Sequence, residues 1–108
     1  MMKFAVAGVL LDACVLGALS KEPAYGYELT QKTQSLLDIS ESALYPVLRR
    51  LQKDELLSTY DKSHDGRNRR YYQITKRGKE LLNEYQDDWV QYKKNIDVFL
   101  KGGSKNNG

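Results

Sequence analysis

Cations and tyrosines crowd into one stretch of this chain. Between Ser40 and Lys76 lie Arg49, Arg50 and Lys53, then Arg67, Arg69 and Arg70, interleaved with Tyr45, Tyr71 and Tyr72. A guanidinium is a rigid fork of N–H donors that matches phosphate oxygens, and tyrosine adds a flat apolar body with a hydroxyl tip. Together they suit the grip of a polyanion. Bond-making chemistry has no comparable set. The only histidine, His64, sits in a polar run, where it reads as a solvated loop residue. No Ser-His-Asp arrangement, phosphate-cradling Gly-rich loop or metal cluster can be assembled, so an enzyme is not expected, nor a cofactor or metal. Cys14 is the only cysteine, which rules out an intrachain disulfide and, beside a single histidine, a structural zinc site of soft ligands. Its apolar neighbours mark it as a small buried hydrophobe.

The net charge is only +3, so a polyanion partner has to be argued from distribution rather than from the total. Arg67, Arg69, Arg70, Lys76 and Arg77 lie close together, while Glu80, Glu84, Asp87 and Asp88 follow. A basic patch on a mixed surface is the footprint of phosphate binding. The same cluster taken alone would also make an ordinary solvated surface.

The elements that must position these residues follow from pattern. From about Ala5 to Leu19 the chain is apolar almost all round, with Val6, Val9, Leu10, Leu11, Val15, Leu16 and Leu19. A helix of that kind needs cover on several sides, which in so small a protein suggests a second chain. Met1 to Ser20 has the look of a secretory signal, and Leu11-Asp12-Ala13-Cys14 that of a lipoprotein cleavage site. Asp12 opposes both, since a carboxylate within the apolar run is costly in a membrane. The run is also shorter than the roughly 20 residues of a spanning helix. It reads as a buried helix of a cytoplasmic protein, with no membrane partner.

Lys21-Glu22-Pro23 breaks that helix, and a second runs from about Tyr25 to Leu36, burying Leu29 and Leu36. Asp38-Ile39-Ser40 makes the turn, with Ser40 as N-cap of a third helix, about Glu41 to Asp54. Leu44, Val47, Leu48 and Leu51 share one face of it, and Ser42, Ala43, Tyr45, Arg49 and Arg50 lie off that stripe. Pro46 removes a backbone donor and should make the early helix irregular. Two strands follow, Leu56 to Asp61 and Arg69 to Thr75, around a polar loop from Lys62 to Asn68. Tyr72 and Ile74 share a face of the second strand, with Tyr71 and Gln73 on the other.

The last helix, about Lys76 to Leu100, spaces Leu82, Tyr85, Trp89, Tyr92, Ile96 and Phe99 by alternating threes and fours. That is a heptad seam. At roughly 1.5 Å per residue the helix is about 37 Å long, more than the preceding domain can cover, so a partner helix is expected on it. Folding back on its own core is the alternative. Residues 101–108 are Gly, Asn, Lys and Ser, a disordered tail. The expected class is mainly α with a small β-hairpin: a winged helix-turn-helix over residues 1–75, then a dimerisation helix over 76–100.

With these residues in this order, the chain resembles the PadR family of bacterial transcriptional regulators over nearly its whole length. The matching pieces are Leu11-Asp12-Ala13-Cys14-Val15-Leu16, Tyr25-Gly26-Tyr27-Glu28-Leu29, Leu44 to Leu51, and Gly66-Arg67 with Arg70 to Thr75 and Gly78. Each is weak alone, and four in order at the right separations are strong. Three positions depart. Ala43 stands where the family usually has Thr, so a hydroxyl is missing. Glu55 replaces a Gly that would tolerate the left-handed end of the third helix. Asn68 replaces the wing's usual Pro, which should loosen the loop.

The resemblance implies a homodimer, its last helices packed on the partner's first helix and on each other through Leu82, Tyr85, Trp89, Tyr92, Ile96 and Phe99. It implies a repressor on double-stranded DNA, at an inverted-repeat operator released by a small molecule. Ser40, Ser42, Ala43 and Tyr45 would meet base edges or their surroundings, with Arg49 and Lys53 nearer the backbone. Arg67, Asn68, Arg69 and Arg70 would hold phosphates or enter the minor groove, and Tyr25 would add a phosphate contact. Tyr27 is assigned to core packing ahead of such a contact. Trp89, with Tyr85 and Asp12, would line a cavity for a planar aromatic effector, or Trp89 would be plain interface core. A winged-helix module that binds protein instead of DNA stays open, although its expected mark is a neutral or acidic wing.

Overall fold

Leucines set the centre of the fold. In the computed structural model, which describes residues 3–102, Leu16, Leu29, Leu44, Leu48, Leu51 and Leu57 are buried in one cluster. They come from α1 (Gly8–Ala18), α2 (Gly26–Leu37), α3 (Glu41–Lys53) and the first hairpin strand, β2 (Leu57–His64). The return strand β3 (Arg67–Ile74) leads into α4 (Lys76–Leu100). A two-residue strand, β1 (Ala24–Tyr25), adds to the free side of β3, so the antiparallel sheet runs β1-β3-β2 with Tyr25 opposite Tyr71. The class is mainly α with a small sheet, as expected. β1 was invisible to pattern because two residues cannot show an alternation. The expected tail falls mostly on residues 103–108, which lie outside the described residues.

α1 begins at Gly8, later than its apolar run suggests. Leu11, Val15 and Leu16 face the core, while Val9 and Leu10 are exposed. Within α2, Leu29 is buried but Leu36 is 63% exposed, contrary to expectation. The buried face continues through Thr30 and Thr33 instead, whose hydroxyls donate back to the Gly26 and Leu29 carbonyls and so enter the core satisfied.

α3 is one continuous helix despite Pro46, where irregularity was expected. Pro46 is exposed, as is Ser42 one turn earlier, so the backbone acceptor that Pro46 leaves unpaired faces solvent. Ser40 caps the helix, its Oγ accepting from the Ala43 N–H at 3.2 Å. At the other end the Leu56 N–H bonds the Leu51 carbonyl and the Glu55 N–H bonds that of Gln52, the paired bonds of a Schellman ending. Glu55 takes the left-handed position, φ 63°, where a side chain costs about 1–2 kcal/mol. Its exposed ion pair with Arg77 at 3.8 Å offsets little. Glu55→Gly is therefore expected to stabilise the fold by about 0.5–1 kcal/mol, a few degrees in Tm, after allowing for the looser unfolded chain. Thermal melts of both proteins at equal concentration check this. A lower Tm for the variant would mean that the turn carries no strain.

The hairpin is longer and tighter than its sequence pattern suggested. Residues 62–68 do not form a loop: Lys62 pairs with Arg69, Ser63 with Asn68 and His64 with Arg67. Only Asp65 and Gly66 turn, at φ 52° and 75°. Positive φ at both central positions gives the turn whose twist matches the strands, and Asp-Gly is suited to it. Asn68 therefore lies in the ladder and loosens nothing. Thr75, expected in the strand, is instead the N-cap of α4, accepting from the Gly78 N–H and donating to the Glu55 carbonyl. One hydroxyl thus ties the strained end of α3 to the start of α4. Gly78 is packed against the Leu56 carbonyl and Ile74 so closely that no Cβ fits.

Candidate nucleic-acid interface

Strand alternation divides the wing cations between two faces. Arg67, Arg69 and Tyr71 lie on the outer face with their partners His64, Lys62 and Tyr60. Asn68 and Arg70 lie on the face that carries Tyr72 and Ile74 toward the core. The outer face is built by aromatic contact. Tyr60 stacks on Tyr71 at 5.4 Å between centroids, and Tyr25 meets Tyr71 edge-on at 5.6 Å. The Arg69 guanidinium lies 4.4 Å above the Tyr25 ring, a cation–π contact. Arg69 Nε is shielded from solvent and has no hydrogen-bond partner among the described residues. His64 reaches toward Tyr25, at 6.1 Å between rings, and so belongs to this face rather than to a free loop. Tyr60, Lys62 and His64 were not picked out as site residues. The Asp-Gly turn at positions 65 and 66 fixes their register and could have revealed them.

Between the start of α2, α3 and the wing lies an open cleft of about 270 Å³, lined by Tyr25, Tyr27, Tyr45, Arg69, Arg70 and Tyr72. Tyr45 leans over Gly26: a Cβ there would sit 2.9 Å from its hydroxyl. A glycine at the start of α2 is what lets the phenol into the cleft. Tyr27 is 62% exposed, so its assignment to the core is wrong within this chain, because the inward positions of α2 are Leu29, Thr30 and Thr33. Arg70 forms only a loose pair with Asp61, 3.7 Å apart and exposed. The structure thus brings Tyr25, Tyr45, Arg69 and Arg70 together. Ser42 and Ala43 stand exposed on the first turn of α3, with Ser40 beside them engaged as the cap and Arg49 exposed further along. Arg67 and Asn68 are exposed at the wing tip.

Two cations of α3 are placed elsewhere. Lys53 lines a separate groove with Glu55, Arg77 and Glu84, away from the cleft. Arg50 is turned inward: its guanidinium bonds both oxygens of Asp12, at 2.6 and 3.0 Å. Hydrogen bonding to Asp12 is the chief cause that raises the Arg50 pKa further above its usual value. Tyr85 of α4 lies beside the pair, its phenol pushed up by burial and then by the Asp12 charge, with Arg50 opposing. Asp12 and Tyr85 are therefore neighbours, as an effector site would need. Trp89, a turn beyond, is 44% exposed and tilted against Tyr92 at 6.2 Å. Burial raises the Cys14 thiol pKa, in keeping with an inert residue.

Helices α2 and α3 joined by a short turn, followed by a basic hairpin, define a winged helix-turn-helix. Residues 15–84 match the transcriptional regulator PadR-like family, and the chain belongs to that family. It is a transcriptional regulator by family, not an enzyme. A transcriptional regulator of Mycobacterium tuberculosis is 35% identical, with 78% of each chain covered. A crystal structure of a Streptococcus mutans protein superposes with a TM-score of 0.86 at 38% identity, over 94% of this chain and 95% of that one. The PadR-like transcriptional regulator of Bacillus cereus does so with a TM-score of 0.77 at 35% identity, over 83% and 90%. No helix of the described residues is long and apolar enough to cross a membrane.

Proposed function

We propose that this chain is a homodimeric, sequence-specific repressor that binds an inverted-repeat operator and is released by a planar aromatic molecule. The carrying observation is the cleft in which Tyr25, Tyr45, Arg69 and Arg70 converge beside the exposed first turn of α3. The loosely paired, exposed Arg70 and the outward guanidinium nitrogens of Arg69 suit phosphate oxygens, and Ser42 and Ala43 are free to approach base edges. In this reading residues 1–75 are the DNA-binding unit, 76–100 the dimerisation helix, and the protein works in the cytoplasm where its operator lies. PadR regulators bind DNA and are generally dimers, which supports the same assignment.

Trp89, Tyr92 and Tyr85 supply flat faces along α4, and a two-fold partner would bring a second set near. Stacking between such faces adds about 0.5–1.5 kcal/mol per ring pair beyond the area buried. A hundredfold loss of operator affinity needs about 2.7 kcal/mol of coupling. The test is a gel titration with duplex from the protein's own upstream region, with and without planar dyes or phenolic compounds. A shifted complex is expected at low salt, weakened by compounds that also quench Trp89, the only tryptophan. Trp89→Ala should keep the dimer's mass and make operator binding indifferent to them. Absence of any shift would favour a protein-binding module. Quenching without a change in DNA affinity would leave a pocket that is not a switch.

A further inference from the structure

The Asp12–Arg50 pair joins three elements that the proposed function keeps apart. Asp12 belongs to α1, whose outer face, with Val9 and Leu10 exposed, is uncovered. Arg50 lies in the last turn of the reading helix α3, and Tyr85 of α4 packs alongside. The Asp12 side chain is only 8% exposed, whereas that of Arg50 is 48% exposed. The fork geometry fixes direction as well as distance, because both guanidinium nitrogens engage both carboxylate oxygens. Packing seats α3 on α1 through the shared leucine core, and the fork adds a directional tie at the last turn of α3, beyond the buried face. Apolar side chains of similar volume commonly replace a buried ion pair without loss of stability, so stability does not by itself call for a carboxylate here.

We propose that Arg50 is a positioning residue: its bidentate bond to Asp12 sets the angle of the reading helix relative to α1 and α4, so that repacking of those two helices is passed to the DNA-binding face. This rests on the DNA-binding reading above and names the route of its regulation. Arg50 itself need not touch DNA. Its charge is spent inward, while Arg49, its neighbour, faces solvent. A compound lodged against Tyr85 and Trp89 would act by disturbing Asp12, and linkage requires operator binding to weaken that compound in return.

Removing Arg50 alone strands the buried Asp12 carboxylate and threatens the fold, whereas removing Asp12 alone leaves a half-exposed guanidinium free to find new partners, so the decisive protein is the double variant Asp12→Leu with Arg50→Met. Its melting temperature and dimer mass should match the wild type. Its affinity for the upstream duplex should fall roughly tenfold, in the range seen for residues that couple sites without touching ligand. The slope of log affinity against log salt should stay unchanged, whereas loss of a direct phosphate contact would lower it by about 0.9 per contact. A lowered slope would overturn the positioning role by making Arg50 a DNA contact, and unchanged affinity in the folded variant would make the pair merely structural. A second readout needs no DNA. Nitroxides on Ala43→Cys, in a Cys14→Ser background, report the distance between the two reading helices by dipolar spectroscopy. The distribution should shift or broaden in the double variant, and an identical one overturns the proposal. Should the wild type bind no duplex, the DNA-binding reading fails on its own, while the spin-label distances still decide whether the pair orients α3.

Discussion

Replacing Ile96 and Phe99 with aspartate is expected to leave a folded monomer. The long axis of the chain is 59 Å, because α4 runs past the core that its first turns help to close. Leu82 is buried in that core and Tyr85 packs against it, so the start of the heptad seam is satisfied within one chain. Further along, Tyr92, Val98, Phe99 and Leu100 are exposed, Phe99 by 80%. An apolar face of this extent on a helix is stabilised by a partner or not at all. In the proposed dimer, two aspartates per chain on that seam would bury charges without partners, at several kcal/mol each, which opposes association. The core from Leu11 to Leu82 does not involve either position, so circular dichroism should keep its helical signal. Sedimentation velocity should report half the wild-type mass. Operator affinity should fall by about two orders of magnitude or more, since each half-site then binds without the high effective concentration that a linked second site provides. An unchanged mass would move the dimer contact elsewhere, and a wild-type monomer at micromolar concentration would remove it.

How far the sequence could be read depended on whether a residue's partner was local. The leucine spacing of α3, the Ser40 cap and the turn at Asp38 to Ser40 are set by neighbours within one helical turn, and all three stand as expected. The fate of Glu55 was not legible: its side chain could have ended the helix another way, and the Schellman bonds decide that it takes the left-handed position. The hairpin was misjudged because its polar residues suggested a loop, while the Asp65-Gly66 turn, a local signal, overrode composition. Arg50 and Asp12 are 38 positions apart, and nothing in either helix reveals that a carboxylate in an apolar run is there to receive a guanidinium from the reading helix. The outer aromatic face needed β1, a strand of two residues, to bring Tyr25 beside Tyr71 and Arg69. Long-range pairs of this kind are fixed by the tertiary fold, and a single sequence carries no local mark of them.

The wing gives the second large effect. Arg69→Ala with Arg70→Ala should weaken binding to every duplex by a similar factor, because phosphate contacts carry no sequence information. The two side chains emerge on opposite faces of β3, one over Tyr25 and the other loosely paired to Asp61. In the proposed complex they would therefore reach phosphates from either face of the wing. Each contact contributes about 0.9 to the slope of log affinity against log salt, so two residues in each of two protomers account for about 3.6. Affinity measured at low and at moderate salt should thus converge in the variant and diverge in the wild type. The fold should survive, since the ring contact of the half-buried Arg69 is worth about 0.5–2 kcal/mol and the exposed Arg70 pair less. Ser42 is the contrasting position: exposed on the first turn of α3, it should alter which duplexes are preferred and leave the salt slope intact. If removing both arginines changed preference among sequences instead of the slope, the wing would be reading bases, and the division of labour between α3 and the hairpin would have to be reversed.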